Sequence, residues 1–283
     1  MVWQILLAVS IVSSAIAVVF RRLLMKGDDS DPYAYSIAFQ LVVSLLIFIF
    51  TLFVGFKLPS NLERYTPNLI IMVVLYTIAN VSIFKAFKAA EAGTVRILYN
   101  TRAIWILLGS VLLLKEEFTL PRFFGTLLII LATFVLSFKN SLTIKKEGLV
   151  FALSAGLFYG LAFVNDAFLA KGWDIPSLMA VEFLLVPVFM AFMRPKKLLK
   201  MKALIKRKTI LNMLIGGFFY GLLSITTFLA YQKGGDASVI GPIGQTSAIL
   251  VVIFGALFLG ENKDLSRKFA AAVLSVAGVI LLL

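Results

Sequence analysis

The chain is built from a series of apolar blocks, and the length of these blocks restricts the fold more than any other feature. A helix needs roughly 20 consecutive apolar residues to cross a hydrocarbon layer about 30 Å thick. Ten blocks approach or exceed that length, at residues 2–20, 33–56, 68–87, 93–114, 121–138, 148–170, 175–193, 210–232, 237–259 and 267–283. The pattern predicts an all-α polytopic membrane protein with ten transmembrane helices.

Composition agrees with lipid as the main solvent. Hydrophobic residues make up 61% of the 283 residues and charged residues 14%. In a soluble domain about 45–50% of the residues are hydrophobic and about 25% are charged. The first block begins Met1-Val2-Trp3-Gln4 without a preceding basic segment, which indicates a retained helix and not a cleaved signal. We therefore expect a multi-pass protein of the cell membrane.

The chain contains no cysteine and no histidine. Their absence removes thiolate chemistry, the usual proton shuttle and the commonest metal ligand. We expect no metal, no cofactor and no enzymatic activity. A membrane-embedded enzyme acting on lipid is a less favoured alternative, because it would need reactive side chains clustered near one interface. A non-transporting scaffold is a third class.

The net charge of +13 follows membrane topology and does not indicate nucleic-acid binding. Eight basic residues lie in one connector, at positions 194–208, and most others lie near the ends of blocks. Alternate connectors hold 19 basic residues on one side of the membrane and 6 on the other. Basic loops stay in the cytoplasm beside anionic headgroups, so the count predicts that both termini lie outside. The sequence leaves a monomer or a homodimer open.

An internal repeat divides the chain. A shift of 145 positions aligns residues 91–122 with 236–267 without a gap, and the identical pairs include Thr101/Thr246, Ala103/Ala248, Glu116/Glu261 and Arg122/Arg267. Charged identities in equivalent connectors are far less expected by chance than apolar ones. The repeat predicts two five-helix halves, at residues 1–139 and 147–283.

Because five is an odd number, the second half must enter the membrane in the opposite orientation to the first. Inverted repeats are the architecture of many transporters, which bind solute near the bilayer midplane between the halves. The repeat therefore predicts a transporter.

The junction Leu112-Leu113-Leu114-Lys115-Glu116-Glu117-Phe118-Thr119-Leu120, followed by Phe124-Gly125, resembles the fourth-to-fifth helix junction of EamA-type drug/metabolite transporters. Residues 257–261, leading into residues 276–279, are similar to its second copy, and residues 154–160 are similar to the start of the family's sixth helix. The likeness covers nearly the whole chain. It implies a ten-helix fold with a central cavity, and export or exchange of small metabolites, lipid-soluble cations or nucleotide-linked sugars.

The chain departs from this family's pattern in two respects. Ala103 and Ala248 stand where proline is frequent in the fourth and ninth helices, and Pro242 lies earlier. Many members also keep both termini in the cytoplasm, whereas the charge count predicts the reverse.

Charged residues inside the blocks are the strongest candidates for function. Arginine at the centre of a transmembrane helix costs about 2.5–3.5 kcal/mol on insertion scales, and Arg102 lies near mid-block. We expect it to bind substrate or to form an ion pair within the bundle. Arg96 lies one turn from its block end, so we expect it to reach the interface.

Two carboxylates are candidates for ion coupling. Glu182 lies seven residues into its block and is also the candidate partner of Arg102. Asp166 lies near a block end, beside Asn165, and could instead face headgroups. The sequence leaves these alternatives open.

Polar side chains at helical spacing form stripes that recur in both halves. The predicted substrate-binding residues beside Arg102 are Tyr76, Asn80, Asn100, Tyr220, Ser224 and Gln245. Such side chains also join membrane helices, at about 0.6 kcal/mol per contact, which is the alternative for each of them. The glycine pairs 156/160 and 217/221 predict close helix contacts.

The sequence thus favours a secondary transporter, an exporter or exchanger, for a small polar metabolite such as an amino acid. The excess of basic candidates favours an anionic or zwitterionic solute. The alternative within the same fold is a multidrug protein that exports lipophilic cations, which would need an unpaired carboxylate such as Glu182.

Overall fold

The computed structural model describes residues 2–26, 30–114, 119–137, 146–204, 206–233, 240 and 243–281, and these residues form helices and no strand. The helices are α1 (Val2–Met25), α2 (Pro32–Val54), α3 (Leu62–Ala89), α4 (Ala92–Tyr99), α5 (Arg102–Leu114), α6 (Leu120–Ser137), α7 (Lys146–Ala170), α8 (Ile175–Met193), α9 (Arg207–Gln232), α10 (Ser247–Leu259) and α11 (Leu265–Leu281). A 3-10 helix, Pro195–Leu204, joins α8 to α9.

The protein is an all-helical, polytopic membrane protein. Seven helical segments of the described chain are long and apolar enough to cross a bilayer. One of them, Ala92–Leu113, consists of α4 and most of α5. Exposed apolar side chains such as Phe53, Phe192 and Leu257 cover the outer surface, as expected for helices in contact with lipid. The shorter α10 covers the C-terminal part of the block predicted at residues 237–259, and α11 begins two residues before the block predicted at residues 267–283.

Local sequence explains where two of the long helices begin. Asp31 caps α2, because its Oδ1 accepts hydrogen bonds from the amides of Tyr33 at 3.0 Å and Ala34 at 3.2 Å. Asp174 caps α8 by accepting from the amide of Ser177 at 3.2 Å. Both helices carry proline within their first two positions, where its missing N–H has no partner to lose.

Each main helix contact joins one predicted half of the chain to the other. The most extensive contacts are those of α1 with α9, α3 with α7, α6 with α11, and α2 with α8. Much of the buried core therefore lies where helices of the two predicted halves pack against each other.

The predicted glycine contacts are confirmed. A Cβ atom at Gly156 would lie 2.6 Å from Thr101 Oγ1, and one at Gly160 would lie 2.7 Å from Trp105 Cβ and 3.0 Å from the Arg102 carbonyl oxygen. A Cβ at Gly217 would lie 3.0 Å from Val42 Cγ1. Small residues let these backbones approach closely.

We expect Gly160→Ala to destabilise the protein by roughly 1–3 kcal/mol, the usual cost of overpacking. Alanine is the better helix former by about 1 kcal/mol, so a loss of stability would identify steric conflict with α5 as the dominant effect. Thermal unfolding in detergent measures the change. Gly244→Ala is the matched control, because no atom lies within 4 Å of a Cβ there. Equal melting temperatures for the two variants would contradict the predicted contact.

Ion pairs join the halves at the end of the bundle where α1 ends and α11 begins. Arg22 Nε lies 2.9 Å from Glu261 Oε1, and Glu261 Oε2 also accepts from the Ala92 amide at 2.7 Å. Lys268 donates to Glu91. These contacts connect α1, α4 and α11 through charged groups that are largely buried.

At the same end, Asp31 fixes the basic 3-10 helix to the start of α2. Lys197 Nζ lies 2.5 Å and Lys200 Nζ 3.2 Å from Asp31 Oδ2. Partial burial by itself raises the pKa of Asp31, but hydrogen bonds from Lys197, the Ala34 amide and Lys200 outweigh it and lower this pKa to about 2.

Because the pKa of Asp31 is lower in the folded protein, its contribution to stability is present above the unfolded value, near 3.9, and is lost as the pH falls toward 2. We expect wild type to melt above Asp31→Asn at pH 6 and the difference to shrink as the pH falls through about 2 and to vanish below it. Asparagine keeps the helix cap and removes only the charge. Melting curves across this range provide the measurement, and a difference independent of pH would contradict the assignment.

Candidate functional site

A cavity of about 100 Å³ is lined by residues from both predicted halves of the chain. It is bordered by α1, α3, α4, α5, α7, α8 and α9 and by the residues before α10. The cavity is lined from near the middle of their helices by Tyr76, Tyr159, Glu182 and Tyr220. The middle of a membrane-spanning helix is expected near the centre of the bilayer. A polar cavity at this depth is typical of a solute site.

The helix that was predicted to run through residues 93–114 is broken at Asn100-Thr101, between α4 and α5. Tighter backbone bonds cross the break: Thr101 N donates to Leu98 O, Ala103 N to Asn100 O, and Ile104 N to Thr101 O, at 3.0–3.2 Å. The prediction of one regular helix is therefore wrong at this point. Backbone of this kind is tolerated within a membrane where it lies inside protein or beside a cavity.

The same bonds recur before α10. Thr246 N donates to Ile243 O, Ala248 N to Gln245 O, and Ile249 N to Thr246 O, at 2.9–3.2 Å. Each donor and acceptor lies 145 positions after its counterpart in the first half. The two breaks face each other, since Asn100 Nδ2 lies 3.5 Å from Gln245 O and donates to Ser275 Oγ at 3.0 Å.

Arg102 lines the cavity at the first turn of α5. Its Nη1 donates to the Tyr99 hydroxyl at 2.9 Å, and its Cζ lies 4.8 Å from the centre of the Phe163 ring. Arg102 and Glu182 both face the cavity, but they form none of the ion pairs of the described residues. The alternative of an Arg102–Glu182 ion pair is therefore wrong.

Arg96 also lines the cavity. Its Nη2 donates to Ser247 Oγ at 2.5 Å and lies 3.4 Å from the Gly244 carbonyl oxygen. The expectation that Arg96 reaches the membrane interface is wrong, because only 8% of the residue is exposed and its partners lie at the opposite helix break.

Arg21 is the main residue that sequence reasoning missed. The first block was predicted to end at Phe20, which placed Arg21 in a connector and in the count of basic residues, but α1 continues to Met25. Arg21 is buried and lines the cavity. Removing it from the count leaves the basic majority on the same side. The signal that could have found it is the repeat, because Arg21 stands 145 positions before Asp166.

The two candidate carboxylates are buried on consecutive helices, Asp166 on α7 and Glu182 on α8. Glu182 lines the cavity, and its Oε2 has no hydrogen-bond partner among the described residues. Asp166 is fully buried and accepts a hydrogen bond from the Tyr76 hydroxyl. The alternative in which Asp166 faces headgroups is therefore wrong. Its neighbour Asn165 instead pairs with Asn68, at 2.8 Å between Nδ2 of Asn68 and Oδ1 of Asn165.

Most of the other predicted binding residues reach the cavity: Tyr76, Tyr220, Ser224 and Gln245. Asn80 and Asn100 lie behind it. Asn80 Oδ1 accepts from the Tyr159 hydroxyl at 2.7 Å, and its Nδ2 donates to the Tyr76 carbonyl oxygen. Asn80 thus orients the cavity residue Tyr159 without lining the cavity itself.

Aromatic rings line much of the remaining wall. Tyr159 lies between Tyr76 and Tyr99, with ring centroids 5.6 and 5.5 Å away in edge-to-face arrangements. Tyr99, Tyr159 and Phe163 were not predicted to contribute, because single aromatic residues in apolar blocks do not distinguish cavity from lipid. Within the described ranges, no cluster of three or more His, Cys, Asp or Glu could hold a metal ion.

Comparison with known proteins agrees with this architecture. The EamA-like transporter family matches residues 1–138 and 146–283. An uncharacterized transporter from Archaeoglobus fulgidus is 22% identical over 276 residues, covering 96% of this chain and 95% of the relative. An uncharacterized transporter from Sinorhizobium sp. is 38% identical over 65 residues, covering 22% of this chain and 45% of that protein.

A solved crystal structure has a similar fold. It superposes with a TM-score of 0.71 at 15% sequence identity, covering 99% of this chain and 95% of the other. At this identity the likeness concerns the fold alone.

Proposed function

Since the chain belongs to the EamA-like transporter family of the drug/metabolite transporter superfamily, we propose that it is a secondary transporter for a small polar metabolite such as an amino acid. It acts as an exporter or exchanger in the cell membrane, by alternating access. Family and relatives are transporters and not enzymes.

The proposed architecture is ten transmembrane helices in two inverted halves, at residues 1–139 and 147–283. The matched backbone bonds at the two helix breaks support it. The helix contacts support it as well. In the repeat, α1 is equivalent to α7 and α3 is equivalent to α9, so the α1–α9 contact and the α3–α7 contact are equivalent to each other. Two inverted halves that exchange conformations give inward- and outward-open states of one fold.

The observation that carries the proposed function is the polar cavity between the halves. Three guanidinium groups, one carboxylate and several hydroxyl groups face one another at membrane depth. Groups that are so costly to place in a membrane are typical of a pathway for polar solute. The helix breaks beside the cavity add backbone groups, as in other transporters with discontinuous helices.

The predicted site residues keep their roles in this proposal. Arg102, Tyr76, Tyr220, Ser224 and Gln245 contact the solute. Asn80 and Asn100 position that wall from behind. Glu182 and Asp166 carry the coupling proton, which neither histidine nor cysteine can carry in this chain.

Purified protein reconstituted in lipid vesicles tests the proposal. A thermal-shift screen against amino acids and other small metabolites selects ligands, and uptake of each radiolabelled ligand is then measured against empty vesicles. We expect saturable uptake that is accelerated when unlabelled ligand is loaded inside, because exchange is faster than net transport. Stabilising ligands that never cross the vesicle membrane would contradict transport and favour a binding or scaffold function.

Export of lipophilic cations is the second candidate, favoured by the free carboxylate oxygen of Glu182 and the aromatic walls. A cation would, however, face Arg21, Arg96 and Arg102 in the same cavity. Competition between a quaternary ammonium dye and the amino acid hits separates the two candidates.

A further inference from the structure

We propose that Arg21 is the main recognition residue of the cavity for a solute that carries an oxyanion group, either a carboxylate or a phosphate. The proposal rests on the transport function and narrows it to a class of solute. It differs from the sequence prediction, which placed recognition on Arg102.

Arg21 presents a buried cation with free donors. The residue is 4% exposed and lines the cavity, and its Nε and Nη2 have no hydrogen-bond partner among the described residues. Buried N–H donors of a charged group that lack acceptors are costly. Its retention at this position is explained if a solute supplies the missing acceptors.

Aromatic rings fix the plane of the Arg21 guanidinium. Its Cζ lies 3.7 Å from the centre of the Tyr220 ring, 4.8 Å from that of Phe39 and 5.7 Å from that of Phe84. These contacts stabilise the positive charge, and they leave Nε and Nη2 without a hydrogen-bond partner among the described residues. A guanidinium held flat in this way is already arranged to bind two oxygens of a carboxylate or phosphate.

None of the ion pairs of the described residues includes Arg21. They all lie at the end of the bundle where α1 ends and α11 begins. Asp166 occupies the position of the second half that is equivalent to Arg21, and it accepts a hydrogen bond from the Tyr76 hydroxyl. Arg21 in turn lies against the ring of Tyr220, which is the repeat counterpart of Tyr76. Equivalent positions thus carry opposite charges, each beside an equivalent tyrosine. This asymmetry places anion recognition on α1.

The rest of the cavity favours the same class of solute. Arg96 and Arg102 add two positive charges, and both are already oriented by side-chain hydrogen bonds to Ser247 and Tyr99. Glu182 is the single carboxylate among the lining residues. A volume of about 100 Å³ restricts the solute to a small molecule.

Matched pairs of ligands test the charge requirement on wild type. Small carboxylic acids are compared with their neutral amides, and small phosphate monoesters with their parent alcohols, by thermal shift and equilibrium binding to the purified protein. We expect the anionic member of at least one pair to bind at least about tenfold more tightly, as expected for hydrogen bonds to a charged group. Whether acids or phosphates bind identifies the oxyanion.

Variants then locate the site. Arg21→Gln should weaken binding of the anion at least about tenfold and leave binding of its neutral partner unchanged. Arg21→Lys keeps the charge but loses the planar set of guanidinium N–H donors, so this variant should bind the anion with intermediate affinity. Arg64→Gln, which removes the same charge from an exposed residue on α3, should bind like wild type. Cooperative melting without ligand checks that each variant is folded.

Equal affinity of wild type for both members of every pair would overturn the proposal, and so would unchanged anion binding by Arg21→Gln. If Arg21→Gln does not fold, the Arg21→Lys result and the ligand pairs on wild type still decide. Uptake into vesicles remains a separate readout. Anion binding without uptake contradicts the transport function, whereas uptake of neutral or cationic solutes alone contradicts only the oxyanion site.

Discussion

Replacing Glu182 with glutamine should abolish proton-driven uptake and leave exchange of labelled for unlabelled solute intact. Glutamine has nearly the same shape but cannot release a proton, so only steps that require titration are lost. The residue is buried, lines the cavity and has a free carboxylate oxygen. Buried carboxylates of this kind are typical proton carriers in membrane transporters. Uptake into vesicles under an imposed pH gradient measures proton-driven transport. Exchange of labelled for unlabelled solute without a gradient measures counterflow.

Glu63→Gln is the matched control, because Glu63 is an exposed carboxylate in the first turn of α3. It should transport like wild type in both assays. Proton-driven uptake that survives in Glu182→Gln would eliminate the proposed coupling role. Loss of exchange together with uptake would instead assign Glu182 to solute binding.

Removal of the Glu261 carboxylate should destabilise the protein by roughly 3–5 kcal/mol, the usual cost of breaking a buried ion pair. In Glu261→Ala, Arg22 Nε and the Ala92 amide lose the acceptors that they have at 2.9 and 2.7 Å. We expect uptake to fall with stability, because the lost contacts join α1 and α4 to the segment before α11. Melting in detergent and vesicle uptake give the two readouts.

The exposed Glu147, at the start of α7, provides the control variant Glu147→Ala, which should change neither readout. Exchanging the charges, with Arg22→Glu and Glu261→Arg together, should recover part of the lost stability. Stability of Glu261→Ala within 0.5 kcal/mol of wild type, about the size of a typical surface effect, would contradict a structural role for this pair.

The helical architecture could be predicted from the sequence because the apolar blocks are long and regular. Residues 175–193 were predicted to form one block and coincide with α8. The end of a helix was harder to predict where the last turns of the helix contain charged residues. Arg21 and Arg22 follow an apolar block and would normally mark its end, but aromatic rings and Glu261 hold them inside the bundle. Those partners are distant in sequence.

The repeat identified positions better than roles. It singled out Asn100-Thr101 and Gln245-Thr246, which form the two helix breaks. It could not show that the chain breaks there, since neither pair contains proline or glycine. Glu261 was likewise prominent, but its role depends on Arg22, which is 239 positions away. Its counterpart Glu116, and Pro242, lie outside the described residues.

Electrostatic partners were the least predictable part of the site. Sequence reasoning allowed Arg102 to pair with Glu182, whereas Arg102 bonds to Tyr99 within the same broken helix. Asp166 bonds to Tyr76 across the α3–α7 contact. Such choices depend on the side-chain directions that packing between the halves imposes.

Two halves that cross the membrane in opposite directions are the premise of the proposed mechanism, and sided chemical labelling tests them directly. The chain has no cysteine, so Glu147→Cys and Leu281→Cys each introduce a single reactive thiol, at the start of α7 and the end of α11. A membrane-impermeant maleimide is applied to intact cells and to inverted vesicles. We predict that the two positions react from opposite sides, because five spans separate them; reaction of both from one side would contradict the inverted repeat.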